Sequence, residues 1–106
     1  MNYRGRIAPT PTGFLHLGHA ATFSTAHRRA RESSGEILLR IENLDPQRCK
    51  PEFATAAMED LKWLGLDWDG EPVFQSQRRA FYLEVWTRLR DAGLIYPCHR
   101  SRKEIS

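Results

Sequence analysis

The sequence Arg6-Ile-Ala-Pro-Thr-Pro-Thr-Gly-Phe-Leu-His-Leu-Gly-His19 decides the fold of this chain. The short segment from Arg4 to Ala8 is typical of a strand, and the two prolines after it cannot continue a central strand because proline lacks an N–H to donate. From Leu17 to Ser34 the chain is rich in alanine, which favours a helix. The stretch therefore predicts a strand, a stiff loop, and a helix that opens at two histidines.

Apolar patterns downstream predict a second strand and a second helix. Ile37 to Ile41 reads Ile-Leu-Leu-Arg-Ile, as buried parallel strands do, and Gly35 before it is expected to be the left-handed residue that ends the first helix. Pro51 opens the second helix and Gly65 ends it. Apolar residues recur along it at steps of three and four. They are Ala54, Ala57, Met58, Leu61 and Leu64.

A third helix and a further strand are predicted near the end of the chain. Ser76 is expected to cap this helix and Gly93 to end it. Leu94 to Cys98 reads as a short strand, and Arg102 to Ser106 begins another element. The expected buried stripe of the third helix is Tyr82, Val85, Trp86 and Leu89.

Alternating strands and helices predict an α/β fold with a parallel sheet and right-handed crossovers. In such sheets, ligands bind at the carboxyl ends of the strands, beside the N-termini of helices. The loop from Pro9 to His16 is expected at that edge.

Composition excludes several classes of protein. With 41% hydrophobic and 27% charged residues, the chain is neither disordered nor membrane-spanning, since no apolar run approaches about 20 residues. Met1 to Arg6 lacks the apolar run of a signal peptide, and two cysteines are too few for a disulfide scaffold, so a cytoplasmic protein without disulfides is expected. A net charge of +3 permits a polyanionic partner such as RNA without requiring one.

The start of the first helix carries groups that suit an anion. Its free N–H groups carry partial positive charge, and His16 and His19 are three residues apart, so both can face one side. Gly18 between them lets a flat ring or phosphate approach the backbone. A bare His-x-Gly-His is also compatible with a solvated helix cap, and no Gly-Lys-Ser/Thr follows that would indicate a P-loop.

The flanking residues resemble a known family. Arg6 to Ala20 resembles the first signature of class I aminoacyl-tRNA synthetases of the glutamyl and glutaminyl type, and Arg40-Ile-Glu-Asn-Leu-Asp45 resembles their second block. Further similarity lies in Leu61 to Trp68, Gln75 to Arg78 and Tyr96 to Cys98. The resemblance covers almost the whole chain, in order.

The resemblance implies the N-terminal half of a Rossmann-like catalytic domain that activates glutamate with ATP and transfers it to a tRNA. His16 and His19 would stabilise negative charge on the phosphates, as positioned donors rather than general bases. Gly18 would lie under the adenine. Pro9 and Thr10 would complete the ATP site, and Mg²⁺ would arrive with ATP rather than in a protein cage.

The resemblance also implies a glutamate pocket. Arg6 would bind a substrate carboxylate, Ala8 and Thr10 would line the pocket, and Glu42 would hold the α-amino group. Because Arg6 and Glu42 follow neighbouring strands, both are expected at the same sheet edge. The alternative for Glu42 is an ordinary surface carboxylate at a strand end.

Two further residues of the second block are given no part in the pocket. Asn43 replaces the usual Asp, and no role is assigned to it. Asp45 is interpreted as an acceptor that shapes the loop.

Three details favour the shorter members of the family, the glutamyl-queuosine tRNA(Asp) synthetases, over the glutamyl-tRNA synthetases that charge tRNA(Glu). Asp45-Pro-Gln-Arg48 resembles the form of the block in the shorter type. The passage from Leu66 to Arg78 is compact. Tyr96 to Cys98, followed by Ser101-Arg-Lys103, is similar to that type as well.

A zinc site is not expected. The shorter type often carries Cys-x-Cys here, whereas Cys98 is followed by His99 and then by Arg100 in the place of the second thiol. A structural zinc needs about four ligands. Cys98 remains a weak candidate ligand, and Cys49 is interpreted as structural.

Residues 1–106 are expected to be an incomplete catalytic domain, because no Lys-Met-Ser-Lys-Ser-like loop is present to grip pyrophosphate. An inactive remnant or a nucleotide- or RNA-binding fragment is therefore an alternative to an enzyme. A different nucleotidyltransferase with the same fold is a further alternative. The basic residues Arg28, Arg29 and Arg31 are interpreted as a solvated helix face that an RNA could also touch.

Overall fold

The computed structural model describes residues 2–105, and they form an α/β fold. Met1 and Ser106, which the sequence analysis included in the first and last segments, lie outside the described residues. The strands are β1 (Arg4–Ile7), β2 (Glu36–Ile41) and β3 (Val73–Phe74); the helices are α1 (Leu17–Glu32), α2 (Pro51–Trp63), α3 (Arg79–Asp91) and α4 (Arg102–Ile105); and a 3₁₀ turn spans Gln75–Arg78.

The three strands form one parallel sheet in the order β1-β2-β3. Arg6 lies beside Leu38 in the first pair, and Arg40 lies beside Val73 in the second. Successive parallel strands added in one direction require crossovers on the same side of the sheet, because right-handed connections predominate. The predicted parallel sheet with crossover helices is confirmed.

One face of the sheet packs against α1 and α2 to form the core. Ile37, Leu39 and Ile41 alternate toward this face and are almost completely buried, as expected for a strand with one covered side. Ala30 of α1 and Leu61 of α2 are fully buried against them. The predicted apolar face of α2 is confirmed except at Leu64, which follows the end of the helix and is exposed.

The opposite face of the sheet carries polar residues. Arg4 and Arg6 on β1, and Leu38 and Arg40 on β2, alternate with the buried positions and so lie on the face of the sheet opposite to Ile37 and Leu39. An ion pair between Arg4 and Glu36 with a 3.0 Å N–O distance lies on this face.

The turn between α1 and β2 corrects one prediction. The left-handed residue is Ser34, with φ of 52°, and Gly35 has no positive φ. Gly35 is required for a different reason, because a Cβ there would lie 2.2 Å from the carbonyl oxygen of Tyr3. The glycine lets the chain pass directly against the start of β1.

The prediction for the third helix was wrong at its start. Ser76 does not cap the helix but lies in the 3₁₀ turn, and α3 begins at Arg79 without a side-chain cap. The turn takes up the residues between β3 and the helix, so the N-terminus of α3 is displaced from the predicted position.

Two further predictions near the end of the chain were wrong. Leu94 to Cys98 is not a strand, and the third strand is Val73–Phe74. The apolar stripe of α3 is not buried: Val85, Trp86 and Leu89 are exposed, with Trp86 at 48%, and Tyr82 is half-buried. The apolar spacing was read correctly, but no described element covers this face of α3.

Candidate active site

The N-terminus of α1 is held by the two histidines of the His-x-Gly-His sequence. His16 is the N-cap, with an extended backbone, and its Nδ1 accepts a hydrogen bond from the Gly18 N–H at 3.1 Å. His19 Nδ1 accepts from the His16 N–H at 3.0 Å. These reciprocal bonds make a capping box from histidines instead of the usual Ser/Thr and Glu.

The capping bonds determine which ring nitrogens of the histidines can face a ligand. Since both Nδ1 atoms accept, each neutral ring carries its proton on Nε2. The two rings lie against each other, with centroids 3.8 Å apart, and His19 in turn stacks on Phe23 at 5.9 Å. The site thus contains two oriented Nε2–H donors at a helix N-terminus.

Gly18 makes room for the ring of His16. A Cβ at Gly18 would lie 2.9 Å from His16 Cε1 and 3.1 Å from its Nδ1. The histidine can fold back onto the Gly18 N–H only because no side chain stands there.

A cleft of about 450 Å³ opens beside this helix start. Five of the residues predicted from sequence line it together: Ala8, Pro9, Thr10, His16 and His19. Thr12, Gly13, Phe14, Leu15 and Phe23 complete the lining, so the described lining residues include no carboxylate. A cleft with N–H donors and no negative charge suits an anionic group.

The loop that forms the cleft is fastened to the second block of the sequence. The Glu42 N–H donates to the carbonyl oxygen of Pro9 at 2.9 Å, and the Lys50 N–H donates to that of Pro11 at 3.2 Å. Proline carbonyls can accept although proline cannot donate. The loop therefore has a fixed shape relative to the end of β2.

Glu42 follows β2 directly and is paired with Arg40. Arg40 Nη2 donates to Glu42 Oε1 at 2.6 Å, and both side chains are about 30% exposed, with 31% for Arg40 and 30% for Glu42. The two side chains stand two residues apart on the same face of the strand. Glu42 is outside the lining of the cleft, but its backbone is bonded to Pro9 in the cleft wall.

Arg6 lies apart from the cleft. It is exposed and lines a second groove of about 640 Å³ between β1 and α1. By the alternation along the strands, its side chain shares the open sheet face with Arg40 and Glu42. Gly18 lines neither cavity.

Asn43 has a role that the sequence analysis missed. Its Oδ1 accepts a hydrogen bond from the Ser76 N–H at 3.0 Å, which joins the end of β2 to the 3₁₀ turn. Arg79 Nη2 donates to the Leu44 carbonyl in the same region. The one sequence signal at position 43 was that Asn stands where the family usually has Asp. That signal did not indicate Ser76 as the partner.

The prediction for Asp45 is confirmed. Its Oδ1 accepts from the N–H groups of Gln47 at 3.0 Å and Arg48 at 3.2 Å, as a loop-shaping side chain does. Cys49 is buried and places its thiol 3.8 Å from the Glu42 carbonyl, which agrees with a structural role.

A polar cluster fixes the other end of α1, at the amino edge of the sheet. Arg31 donates to Asp67 and to Asp69, each at 3.0 Å, and His27 lies 2.6 Å from Asp67. Asp69 also accepts from the Ile37 N–H at 2.9 Å. The prediction of a solvated helix face was therefore wrong for Arg31, which is paired and half-buried. Arg28 and Arg29 are exposed, as predicted.

This cluster shifts the pKa values of its members. Hydrogen bonds from His27 and then from Arg31 hold the pKa of Asp67 below its usual value. The Ile37 N–H, followed by Arg31, lowers the pKa of Asp69. Bonds to Asp69 and Asp67 raise the pKa of Arg31. The carboxylates are therefore stabilised in their ionised form.

Among residues 2–105 there is no group of three or more His, Cys, Asp or Glu placed to hold a metal ion. Cys98 is an exposed free thiol beyond the end of α3. No helix in the described part of the chain is long and apolar enough to cross a membrane.

Comparison with known proteins agrees with the resemblance seen in the sequence. A family model described as tRNA synthetases class I (E and Q), catalytic domain, matches residues 2–106. A glutamyl-Q tRNA(Asp) synthetase of Parasynechococcus marenigrum is 48% identical over 104 residues, which are 98% of this chain and 36% of the relative. One of Neisseria meningitidis serogroup C is 47% identical over 102 residues, 96% of this chain and 35% of the relative.

Solved structures are similar as well. A glutamate tRNA ligase from Elizabethkingia meningosepticum, in complex with its amino acid, superposes with a TM-score of 0.79 at 34% identity, over 86% of this chain and 20% of that one. The chain thus spans roughly a third of the length of the curated relatives that it matches. The chain belongs to the family of class I tRNA synthetase catalytic domains of the glutamyl and glutaminyl type.

Proposed function

We propose that this chain activates glutamate with ATP and transfers the glutamyl group to the queuosine base of tRNA(Asp). The observation that carries the proposal is the histidine capping box, which leaves two Nε2–H donors at a helix N-terminus beside a cleft without carboxylates. This arrangement suits the phosphates of ATP.

The first step joins glutamate to AMP. An oxygen of the glutamate α-carboxylate attacks the α-phosphorus, and a new O–P bond forms. The bond from that phosphorus to the oxygen bridging to the β-phosphate breaks, and pyrophosphate leaves. In the second step, a nucleophile of the tRNA attacks the acyl carbon, the C–O bond to AMP breaks, and AMP leaves.

His16 and His19 contribute by stabilising charge. Negative charge on the phosphate oxygens increases as the α-phosphorus is attacked, and N–H donors that are already oriented need no reorganisation to meet it. Because their Nδ1 atoms accept backbone bonds, the rings act as donors and not as bases. Gly18 keeps the His16 ring in place and leaves the helix start open toward the adenine.

The amino acid would be recognised on the open sheet face. Arg6 supplies a guanidinium for a substrate carboxylate, and Glu42 accepts from the α-ammonium. Ala8 and Thr10 line the adjoining wall, and Pro9 and Thr10 border ATP. The bond from the Glu42 N–H to the Pro9 carbonyl links the proposed glutamate pocket to the proposed ATP site, which supports their lying side by side.

The residues of the cleft fit a phosphate better than a metal held by protein. Its described lining offers donors and no carboxylate, so Mg²⁺ would be bound mainly by the phosphates that it accompanies. When bound, that ion neutralises phosphate charge.

The choice of acceptor rests on the relatives. Two that match almost the whole chain are named glutamyl-Q tRNA(Asp) synthetases, which supports tRNA(Asp) as the acceptor. Transfer to tRNA(Glu) is the second candidate, because the superposed structure is a glutamate tRNA ligase. Residues 1–106 would form the N-terminal part of the catalytic domain, and an enzyme that uses ATP and tRNA would work in the cytoplasm.

The proposal is tested by glutamate-dependent exchange of pyrophosphate into ATP, followed by transfer of labelled glutamate. The chain is assayed with queuosine-containing tRNA(Asp), the same tRNA without queuosine, and tRNA(Glu). His19→Ala should slow exchange by about 10²- to 10³-fold, the usual effect of removing one positioned donor. His99→Ala, at an exposed histidine beyond α3, is the matched control and should leave exchange unchanged.

Each result of this assay has a distinct meaning. Exchange together with transfer only to queuosine-containing tRNA(Asp) supports the proposal, and transfer to tRNA(Glu) supports the second candidate. Absence of exchange, with ATP or glutamate still bound, would identify the chain as an inactive remnant or a binding fragment.

A further inference from the structure

The pairing of Arg40 with Glu42 takes up one oxygen of the carboxylate assigned to substrate recognition. The 2.6 Å bond from Arg40 Nη2 goes to Glu42 Oε1. Glu42 Oε2 has no bond to a protein donor in the described part of the chain. One oxygen of this carboxylate is thus held by Arg40, and the other can accept a hydrogen bond from a ligand.

Arg40 maintains this bond although another of its N–H groups is unsatisfied. Its Nε is buried and has no hydrogen-bond partner among residues 2–105. A buried guanidinium donor without a partner is unfavourable, and such groups in native structures call for an explanation. The bond to Glu42 is the one polar contact that the described residues give this guanidinium. Orienting Glu42 would therefore explain why Arg40 is kept at this position despite its unsatisfied Nε.

Both residues have rigid backbones. Arg40 lies in the central strand and is paired with Val73 of β3. The Glu42 N–H is bonded to Pro9, and its carbonyl contacts the thiol of Cys49. With the main chain held on both sides, the Arg40 guanidinium determines where the Glu42 carboxylate points.

We propose that Arg40 is a positioning residue for amino-group recognition: it holds Glu42 by Oε1 so that Oε2 meets the α-ammonium of the amino acid. The proposal rests on the proposed function, since it needs Glu42 to bind the substrate ammonium. Arg40 does not touch the substrate in this role and acts through Glu42.

A general effect of the positive charge of Arg40 would have the opposite signature. Glutamate carries a net charge of −1, and glutarate, which lacks the amino group, carries −2. If Arg40 only attracted anions, its removal would weaken glutarate more than glutamate. If it positions Glu42, its removal weakens glutamate more, because glutarate makes no bond to Glu42.

The experiment measures the affinities of both ligands by NMR titration of the isotope-labelled chain. Arg40→Gln should lower the ratio of glutamate to glutarate affinity by about tenfold, the usual effect of losing a hydrogen bond to a charged group. Arg40→Lys keeps the charge but not the planar fork and should lower the ratio by a smaller factor. Arg4→Gln is the matched control, since Arg4 pairs with Glu36 on the same sheet face, and should leave the ratio unchanged.

A double-mutant comparison tests the route of the effect. In a Glu42→Gln background, Arg40→Gln should change the affinity ratio less than twofold, because the two residues act as one unit. A full tenfold effect in that background would show that Arg40 does not act through Glu42. The amide dispersion of each variant is recorded first, which establishes that it is folded.

The outcomes separate the two proposals. If the unmodified chain binds neither ligand, the proposed function fails, and the role of Arg40 fails with it. If it binds both, and Arg40→Gln leaves the ratio unchanged or raises it, the positioning role alone is overturned.

Discussion

Replacement of Gly35 by alanine tests the close approach between the start of β1 and the turn before β2. The new Cβ would lie 2.2 Å from the Tyr3 carbonyl oxygen and 2.9 Å from its carbonyl carbon. Those atoms are backbone and cannot rotate away. The chain must separate there, which breaks the 2.9 Å bond from the Glu36 N–H to Tyr3.

The expected loss of stability follows from three effects. Forcing an extra carbon into a packed contact destabilises by about 1–3 kcal/mol. The broken backbone bond adds about 1 kcal/mol. Alanine stiffens the unfolded chain, which offsets about 0.4–1 kcal/mol. We expect a net loss of about 2–3 kcal/mol in the free energy of unfolding, which lowers Tm by about 10 °C or more.

Urea unfolding followed by tryptophan fluorescence measures this loss. Gly13→Ala is the matched control, because a Cβ at Gly13 meets no atom within 4 Å and its φ is not positive. It should change stability by less than about 0.5 kcal/mol or raise it slightly. Equal unfolding midpoints for the two variants would refute the close packing of Gly35 against Tyr3.

Gly18→Ala should slow pyrophosphate exchange while urea unfolding changes by less than about 1 kcal/mol, because the Cβ displaces the His16 ring but alanine favours the helix; undiminished exchange would contradict this. Leu61→Ala should lose about 2–5 kcal/mol in the same unfolding assay, since Leu61 is fully buried, and a loss under 1 kcal/mol would argue against the core described. Asp67 and Asp69 have lowered pKa values in the folded chain, so the stability they contribute is present above their unfolded pKa of about 3.9 and is lost as the pH falls through the folded values. The urea midpoint should therefore drop below about pH 4, and an Asp67→Asn and Asp69→Asn double variant should flatten that drop; an unchanged profile would count against the cluster.

The first half of the fold was predictable because its signals are local. The prolines after β1, the alanine-rich α1 and the apolar β2 are each recognisable within a few residues of sequence. Pro51 opens α2 as predicted. The meeting of strand ends and helix starts at one edge placed the loop from Pro9 to His16 beside the helix start, whereas the assignment of Ala8, Thr10 and His19 to the site came from the family resemblance; these residues all line one cleft.

The rest depends on contacts between distant residues. β3 has only two residues and exists through its pairing with Arg40 and Ile41, so periodicity could not reveal it. The bond between Asn43 and the Ser76 N–H spans 33 positions. The apolar spacing of α3 shows which side chains are apolar but not whether another element covers them.

For the site residues too, local sequence identified some features, and others depended on the three-dimensional structure. His16 and His19 were recognised from the tetrapeptide together with its flanking residues, but the direction of their bonds, and hence the protonated nitrogen, followed only from the three-dimensional structure. Arg6 and Glu42 were expected at one edge; Arg6 lies in β1, and Glu42 directly follows the neighbouring strand β2. The partner of Glu42 was missed, although Arg40 stands two residues before it.

The bonds from the Glu42 N–H to Pro9 and from the Lys50 N–H to Pro11 have a consequence for biosynthesis. The loop is made early, but its last fastening point emerges from the ribosome 41 residues after Pro9, about 2–8 s later at 5–20 residues per second. Until Glu42 and Lys50 have emerged, the carbonyl oxygens of Pro9 and Pro11 lack the N–H groups that fasten the loop, whereas the bonds between His16, Gly18 and His19 are local. A pause in translation before Lys50 would prolong the exposure of this segment to chaperones and proteases, whereas a pause after it would find the loop already closed.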